Sequence, residues 1–353
     1  MEKFIDLRSD TVTRPTKEMR EAMFNAEVGD DVLSEDPTIN KLEKLAAELL
    51  NKEASMFVPS GTFGNQVSLF THCDKGDEII LSDDSHIIQH EAGAGAIITG
   101  AQFRTISPKK SYITWEEIEP KIRKEKDIHY PETRLIELEN ATANGDVMPL
   151  DEMEKIYNNA KKYNINIHLD GARIFNAAAY LGVNVSEIAK YADSVMFCLS
   201  KGLCSPVGSM VAGTKKFIEK ARKKRKIMGG GMRQAGILAA AGIVSLTKMI
   251  ERLKIDHINA KKLAEAFVNT GLFNLFSDKV KINMFFIQFK DKNLQDKQWN
   301  FVEFLKEYKI LTYPPENGWI RFVTHNEVKE SDIDYVVKII PDIIKKWVNS
   351  INS

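Results

Sequence analysis

Short apolar runs alternate with segments of helical period through the first two-thirds of the chain. Residues 54–58, 78–81, 135–138, 165–169, 195–199 and 208–212 each read as a brief strand, mostly buried. Between them, Met153, Ile156, Tyr157, Ala160 and Tyr163 recur at three- and four-residue spacing, which predicts one helix face over 151–163. Asp36-Pro37 reads as a helix start, with the carboxylate as N-cap and proline in the first turn, ahead of Ile39, Leu42, Leu45, Ala46 and Leu49. Strands and helices alternating in this way predict an α/β protein with a largely parallel sheet covered on both faces by helices.

The pattern changes after Gly231. Residues 233–269 carry no strand signal and read as two helices, the second starting near Asp256. A strand over 281–289, a helix over 296–308 and a strand over 319–323 follow. The chain closes on an amphipathic helix over 331–347 that Pro341 is expected to kink or break. No repeat or low-complexity linker separates these parts. The expected organisation is a large domain over 1–250, including an N-terminal segment 1–16, and a smaller C-terminal domain over 251–353.

Composition narrows the classes of function. The length of 353 residues suits about two domains. Forty-nine basic residues balance 49 acidic ones, so no net charge draws the chain to nucleic acid or to an anionic membrane. The longest charge-free run, 54–73, holds Pro59, Gly61, Gly64, Asn65 and Gln66, too polar to span a bilayer. The N-terminus carries charges where a signal peptide needs an apolar stretch. Three cysteines, 73, 198 and 204, form no CxxC pair and suggest neither a disulfide framework nor a zinc site, which favours a reducing, cytoplasmic compartment.

Candidate chemistry clusters where apolar strands end. The run 194–199 leads straight into Ser200-Lys201-Gly202. A lysine there can lose hydration and form a Schiff base with an aldehyde, or it can simply reach solvent. The run 165–169 ends in Asp170-Gly171-Ala172-Arg173. Ligands of open α/β sheets bind beyond the carboxyl ends of strands, so Asp170 can pair with a protonated ring nitrogen and Arg173 with a carboxylate. The bland alternative is a structural Asp–Arg pair. Ser60-Gly61-Thr62 joins a strand to a helix and offers backbone amides to a phosphate, or serves only as a cap. It lacks the lysine of a P-loop and the spacing of a dinucleotide fingerprint.

His86 and His90, with Glu91 beside them, lack the order and third ligand of a zinc motif. A ring stacked on a cofactor, or a hydrogen-bonded core histidine, fits better than a metal. The basic run 215–226 has no aromatic interleaving and reads as a solvated helix face rather than a nucleic-acid patch. After it, three glycines precede Arg233, which could face an anion or merely follow a tight turn. One cofactor uses a lysine, an acid and an anion cradle together: pyridoxal 5'-phosphate.

The segments DLRSDTVTRPT (6–16), EDPTINKLE (35–43), FVPSGTFGNQ (57–66), HLDGARIFNA (168–177), ADSVMFCLSKGL (192–203), GGGMRQAG (229–236) and IRFVTH (320–325) resemble the low-specificity L-threonine aldolases, in the β-eliminating-lyase branch of fold-type-I pyridoxal-phosphate enzymes. The resemblance runs from residue 6 into the last helix. It implies an aspartate-aminotransferase-like fold, a three-layer large domain, and active sites at a subunit interface in a homotetramer built of dimers. It further implies that Lys201 carries the cofactor and Asp170 faces its ring nitrogen. Gly61, Thr62 and, from a neighbouring subunit, Arg233 would hold the phosphate, and His86 would stack on the ring. Ser9, Arg173 and Arg321 would take the substrate carboxylate, and His129 would be a second active-site histidine.

The implied reaction is retro-aldol cleavage of L-threonine or L-allo-threonine to glycine and an aldehyde. The alternatives are a pyridoxal-phosphate-dependent β-eliminating lyase and a cofactor carrier without turnover. One stretch departs from the family: where many members read ENTHN, this chain has Glu139-Asn140-Ala141-Thr142-Ala143-Asn144-Gly145 and no matching histidine.

Overall fold

A computed structural model describes residues 4–125 and 127–352. In chain order its strands are β1 (Ile5–Asp6), β2 (Ala54–Val58), β3 (Glu78–Ser82), β4 (Gln102–Ile106), β5 (Thr133–Glu139) and β6 (Asn166–Asp170). They continue with β7 (Ser194–Cys198), β8 (Ser209–Gly213), β9 (Phe273–Leu275), β10 (Met284–Phe289), β11 (Ile310–Leu311) and β12 (Ile320–Val323). The helices that matter most below are α1 (Lys17–Phe24), α2 (Pro37–Leu50), α3 (Gly61–His72) and the single turn α4 (His86–Gln89).

The chain divides into two compact units. The larger comprises residues 15–143 and 147–250, and the smaller the described residues before 15, residues 144–146 and those from 251 on. The expected division at 250 differs from this in its N-terminal segment: its described residues through 14 group with the C-terminal residues. The physical reason is β1, whose Ile5 and Asp6 pair in parallel with Ile310 and Leu311 of β11. Residues 1–3 of that segment lie outside the described residues.

The larger unit holds a seven-stranded sheet in the order β2-β8-β7-β6-β5-β3-β4. Each of the six expected strands forms. Most of their residues are buried, as in a sheet sheathed by helices. The seventh, β4, was not anticipated: it is an edge strand whose Gln102, Phe103, Arg104 and Thr105 are only partly buried or exposed, so it shows no apolar run. β3, β4, β5, β6 and β7 are mutually parallel, and only β8 runs against its neighbours. Because β2 and β7 are each antiparallel to β8, they run in the same direction as one another. The carboxyl ends of β2, β5, β6 and β7 therefore share one edge of the sheet. Asp36 caps α2 by accepting from the amides of Thr38 and Ile39, with Pro37 in the first turn, as its sequence predicts.

The smaller unit contains the antiparallel sheet β12-β10-β9 and the β1–β11 pair. Its core is aromatic: Phe267, Phe273, Phe285, Phe289, Phe301, Phe322 and Trp347 pack with Leu7, Ile287 and Ile340. The last helix runs unbroken from Glu330 to Asn352 through Pro341, so no break occurs at the proline. Ile340, Ile343, Ile344 and Trp347 on either side of the proline are buried in that core, and their packing holds the helix across it while Pro341 itself is exposed.

Candidate active site

The shared edge of the larger unit's sheet carries a recess lined by Gly61, His86, Glu139, Asp170, Arg173 and Lys201, among others. Strand direction explains the assembly. Gly61 follows β2, Glu139 and Asp170 are the last residues of β5 and β6, and Lys201 lies three residues beyond β7. The register sets Glu139 beside Asp170, and Glu137, His168 and Ser194 side by side on the same face one row below.

Gly61 opens α3, with Ser60 as N-cap accepting from the Phe63 amide. The helix N-terminus thus presents its first amides and dipole to the recess. A Cβ on Gly61 would lie 2.9 Å from Cys198 Sγ, so a larger residue there would force the end of β7 or its cysteine to shift. Thr62 is in the same first turn.

Both oxygens of Asp170 accept hydrogen bonds, from Asn65 Nδ2 at 2.7 Å and from the Ala172 amide at 2.9 Å. Asn65 Nδ2 also donates to Glu91 Oε1 at 2.8 Å. Glu91 is buried and takes a further bond from Gln66 Nε2 at 2.6 Å. His86 Nδ1 lies 3.0 Å from Glu91 Oε1, and that hydrogen bond, working against burial, raises the imidazole's pKa above its ordinary value. His86, Glu91 and Asp170 offer atoms within 4.8 Å of one another, a spacing open to a metal, but amide donors already point at both carboxylates.

With both Nδ2 hydrogens on carboxylates, Asn65 turns its carbonyl to His168 Nε2 at 3.2 Å, so that nitrogen carries the proton. His168 Nδ1 then accepts from Ser194 Oγ at 2.8 Å, and Ser194 Oγ accepts from His72 Nε2 at 2.7 Å. Burial above all pushes both imidazoles down to about 3, which keeps each one neutral.

Glu139 accepts the His86 backbone amide at 3.1 Å. Burial first, and the neighbouring Asp170 charge second, push its carboxyl up to about 7. Glu137 is buried with both oxygens unpartnered, and burial raises its carboxyl well above the ordinary range.

Five residues expected at a site, Lys201, Asp170, His86, Arg173 and Gly61, therefore line one recess. Two do not. His129 sits on an exposed turn with Nδ1 2.7 Å from Asp127, and Arg233 pairs with Asp30 at 2.6 Å on a largely exposed side chain. Ser9 and Arg321 belong to the smaller unit. There Ser9 caps the short helical turn Asp10–Val12, and Arg321 on β12 donates to the Arg8 carbonyl with its guanidinium over the Tyr313 ring. Asn65, Glu91 and Glu139 escaped the reading of site roles from sequence. Their one local signal is polarity inside otherwise apolar or small-residue surroundings.

The family model described as "Beta-eliminating lyase" matches residues 6–290. The chain is 44% identical over 338 residues to low-specificity L-threonine aldolase 1 of Arabidopsis thaliana, covering 94% of each protein. It is 41% identical over 330 residues to the low specificity L-threonine aldolase of Escherichia coli K12, covering 93% of this chain and 96% of that one. Among solved structures, the threonine aldolase of Leishmania major superposes with a TM-score of 0.82 at 18% identity, covering 96% of this chain and 99% of that one. The shared architecture is the aspartate-aminotransferase-like α/β fold, fold type I.

Proposed function

The chain belongs to the beta-eliminating lyase family, and from that premise we propose that it is a pyridoxal-phosphate-dependent carbon–carbon lyase. Its reaction is the cleavage of L-threonine, L-allo-threonine and related β-hydroxy-α-amino acids to glycine and an aldehyde. The observation that carries the reading is the convergence of Lys201, Asp170 and the Gly61 turn on one recess, in a chain matched almost end to end by threonine aldolases.

The residues present fit pyridoxal 5'-phosphate. Gly61 leaves a cradle that a Cβ would fill, at a helix N-terminus suited to a dianion. Lys201 supplies an amine, and Asp170 a carboxylate already oriented by two hydrogen bonds. When bound, the cofactor supplies a conjugated ring that accepts the electron pair of the bond being broken.

The remaining roles fall to side chains. Asp170 would pair with the ring nitrogen, the Gly61 and Thr62 amides would hold the phosphate, and His86 would serve as a partner of the ring. Arg173, whose planar fork suits a carboxylate, holds the substrate so that the Cα–Cβ bond is the one that cleaves. Ser9 and Arg321 share that carboxylate role by the same family resemblance. A base takes the β-hydroxyl proton: His86, His129 or a held water.

A homotetramer built of dimers is part of this proposal. It is supported by large apolar side chains exposed on the larger unit: Phe24 at 89%, Ile97 at 81%, Ile227 at 69% and Leu33 at 64%. The positions of Arg233 and His129 outside the recess support their being given to a neighbouring subunit. The larger unit, residues 15–143 and 147–250, would carry the cofactor. Three buried free cysteines support a cytoplasmic setting, and no helix among the described residues is long and apolar enough to cross a membrane.

The test uses purified protein loaded with the cofactor. Release of glycine and acetaldehyde from threonine, with the protein-linked absorption band lost in Lys201→Ala, supports the aldolase. 2-Oxobutyrate and ammonia instead would make it a β-eliminating lyase. A band without turnover would make it a carrier.

A further inference from the structure

We infer that Asn65 is a positioning residue, holding Asp170 oriented for the cofactor's ring nitrogen while tying it to the Glu91–His86 pair. The inference rests on the role proposed above for Asp170.

Asn65 is fully buried, so its amide has no water to fall back on. Its single nitrogen bridges two carboxylates that sit on different parts of the fold, Asp170 at the end of β6 and Glu91 just beyond α4. Two buried carboxylates this close repel one another, and an N–H directed at each offsets that repulsion. Glu91 in turn receives His86, so one amide acts on both candidate ring partners, the acid and the imidazole.

An asparagine side chain can be turned end for end at little intrinsic cost, and a flipped amide would aim its oxygen at the two carboxylates. The two carboxylates oppose that, and the orientation they impose propagates behind it: His168 Nε2 faces the amide carbonyl and donates to it. His168 Nδ1 then accepts from Ser194 Oγ, and Ser194 Oγ from His72 Nε2.

Position on α3 adds to the case. Gly61 and Asn65 are four residues apart, one helical turn, and both line the recess. The same helix that offers amides to a phosphate at its first residue grips the ring-nitrogen partner one turn later. Its geometry therefore sets both ends of the cofactor site together.

The experiment compares binding of pyridoxal 5'-phosphate with that of its 1-deaza analogue, in which the ring nitrogen is replaced by C–H. Apo forms of the wild type, Asn65→Ala, Asn65→Asp and Asp170→Ala are titrated. Losing hydrogen bonds to a charged group is expected to weaken pyridoxal phosphate binding to both Asn65 variants by about 10- to 100-fold, with the analogue's affinity changed far less. Asp170→Ala should show the same selective loss.

Equal loss of both ligands in the Asn65 variants would overturn the inference, because it would mark a structural role. Selective loss in Asp170→Ala with none in the Asn65 variants would overturn it while leaving the assignment of Asp170 intact. No selective loss in Asp170→Ala would overturn that assignment, and the inference with it. Should the alanine variant fail to fold, Asn65→Asp preserves the volume, removes both donors and carries the same test.

Discussion

Glu139→Gln should make the apo-protein more resistant to unfolding in mildly alkaline buffer and leave it nearly unchanged in mild acid. Glu139 ends β5 beside Asp170, and its carboxyl is raised from 4.5 to about 7. Burial contributes most and the Asp170 charge next. The His86 backbone amide and the positive charges of His86 and Lys201 act in the opposite sense. A carboxyl raised in the folded state binds its proton more tightly there than in the unfolded chain. Its contribution to stability is therefore fully present below about 4.5 and is lost as pH rises through about 7. At ~1.4 kcal/mol per unit, the difference between those limits is about 3 kcal/mol. Glutamine keeps the shape and still offers an oxygen to the His86 amide, but it does not titrate. The assay is denaturant unfolding of both apo-proteins from pH 5 to 8.5, read as the gap between their transition midpoints at matched slopes. The gap should open in favour of the variant between pH 5 and 8. Parallel curves across that range would refute the account of Glu139 as a carboxyl strained by burial and by Asp170.

The histidine chain predicts the opposite trend in acid. His72 and His168 fall from 6.5 to about 3 on folding, so the stability they contribute is present above 6.5 and is lost as pH drops toward 3. Unfolding free energy should fall by up to ~1.4 kcal/mol per pH unit for each histidine below 6.5, and His72→Gln should shallow that slope; an unchanged slope would count against neutral burial. Gly64→Ala tests the fit of α3 on the sheet. The new Cβ would stand 2.6 Å from Met196 Cγ and 3.3 Å from Val211 Cγ2, so a net loss of about 1–3 kcal/mol is expected despite alanine's better helix propensity. A melting temperature equal to or above the wild type's would show that Met196 yields freely.

Legibility in the sequence followed what each element owes to its neighbours in the chain. The six buried strands announced themselves because burial on both faces needs consecutive apolar residues. β4 did not, since an edge strand half in solvent owes its pairing to β3 rather than to its own composition. The last helix misled in the other direction. Proline's local cost pointed to a break, while the buried residues flanking Pro341 kept the helix continuous. Lys201 and Asp170 were legible for a single reason: each is a charge placed where an apolar strand stops, and parallel strands bring such ends to one edge. His129, Ser9 and Arg321 came from family resemblance rather than from pattern, Arg233 had a local signal in the glycines before it, and neither His129 nor Arg233 lines the recess.

What the sequence concealed is the reason Asp170 works as a charge inside a sheet. Glu137, Glu139, His168 and Ser194 share its face, and five polar side chains in a buried sheet centre are costly unless their charges are limited. The fold limits them through strand order and through α3 lying over the face. Burial raises the Glu137 carboxyl, partnerless at both oxygens, well above the ordinary range; His168 is neutral; Ser194 lies between two imidazoles; and the Glu139 carboxyl is pushed up to about 7. Asp170, by contrast, receives two directed donors, one of them from a residue on another element 105 positions away. No local reading of Asn65, which looks like any polar residue in a helix, reveals that donor. Its meaning depends on β5, β6 and β7 being neighbours. Two directed donors thus meet Asp170 where a ring nitrogen would need its carboxylate, an arrangement that only the assembled sheet defines.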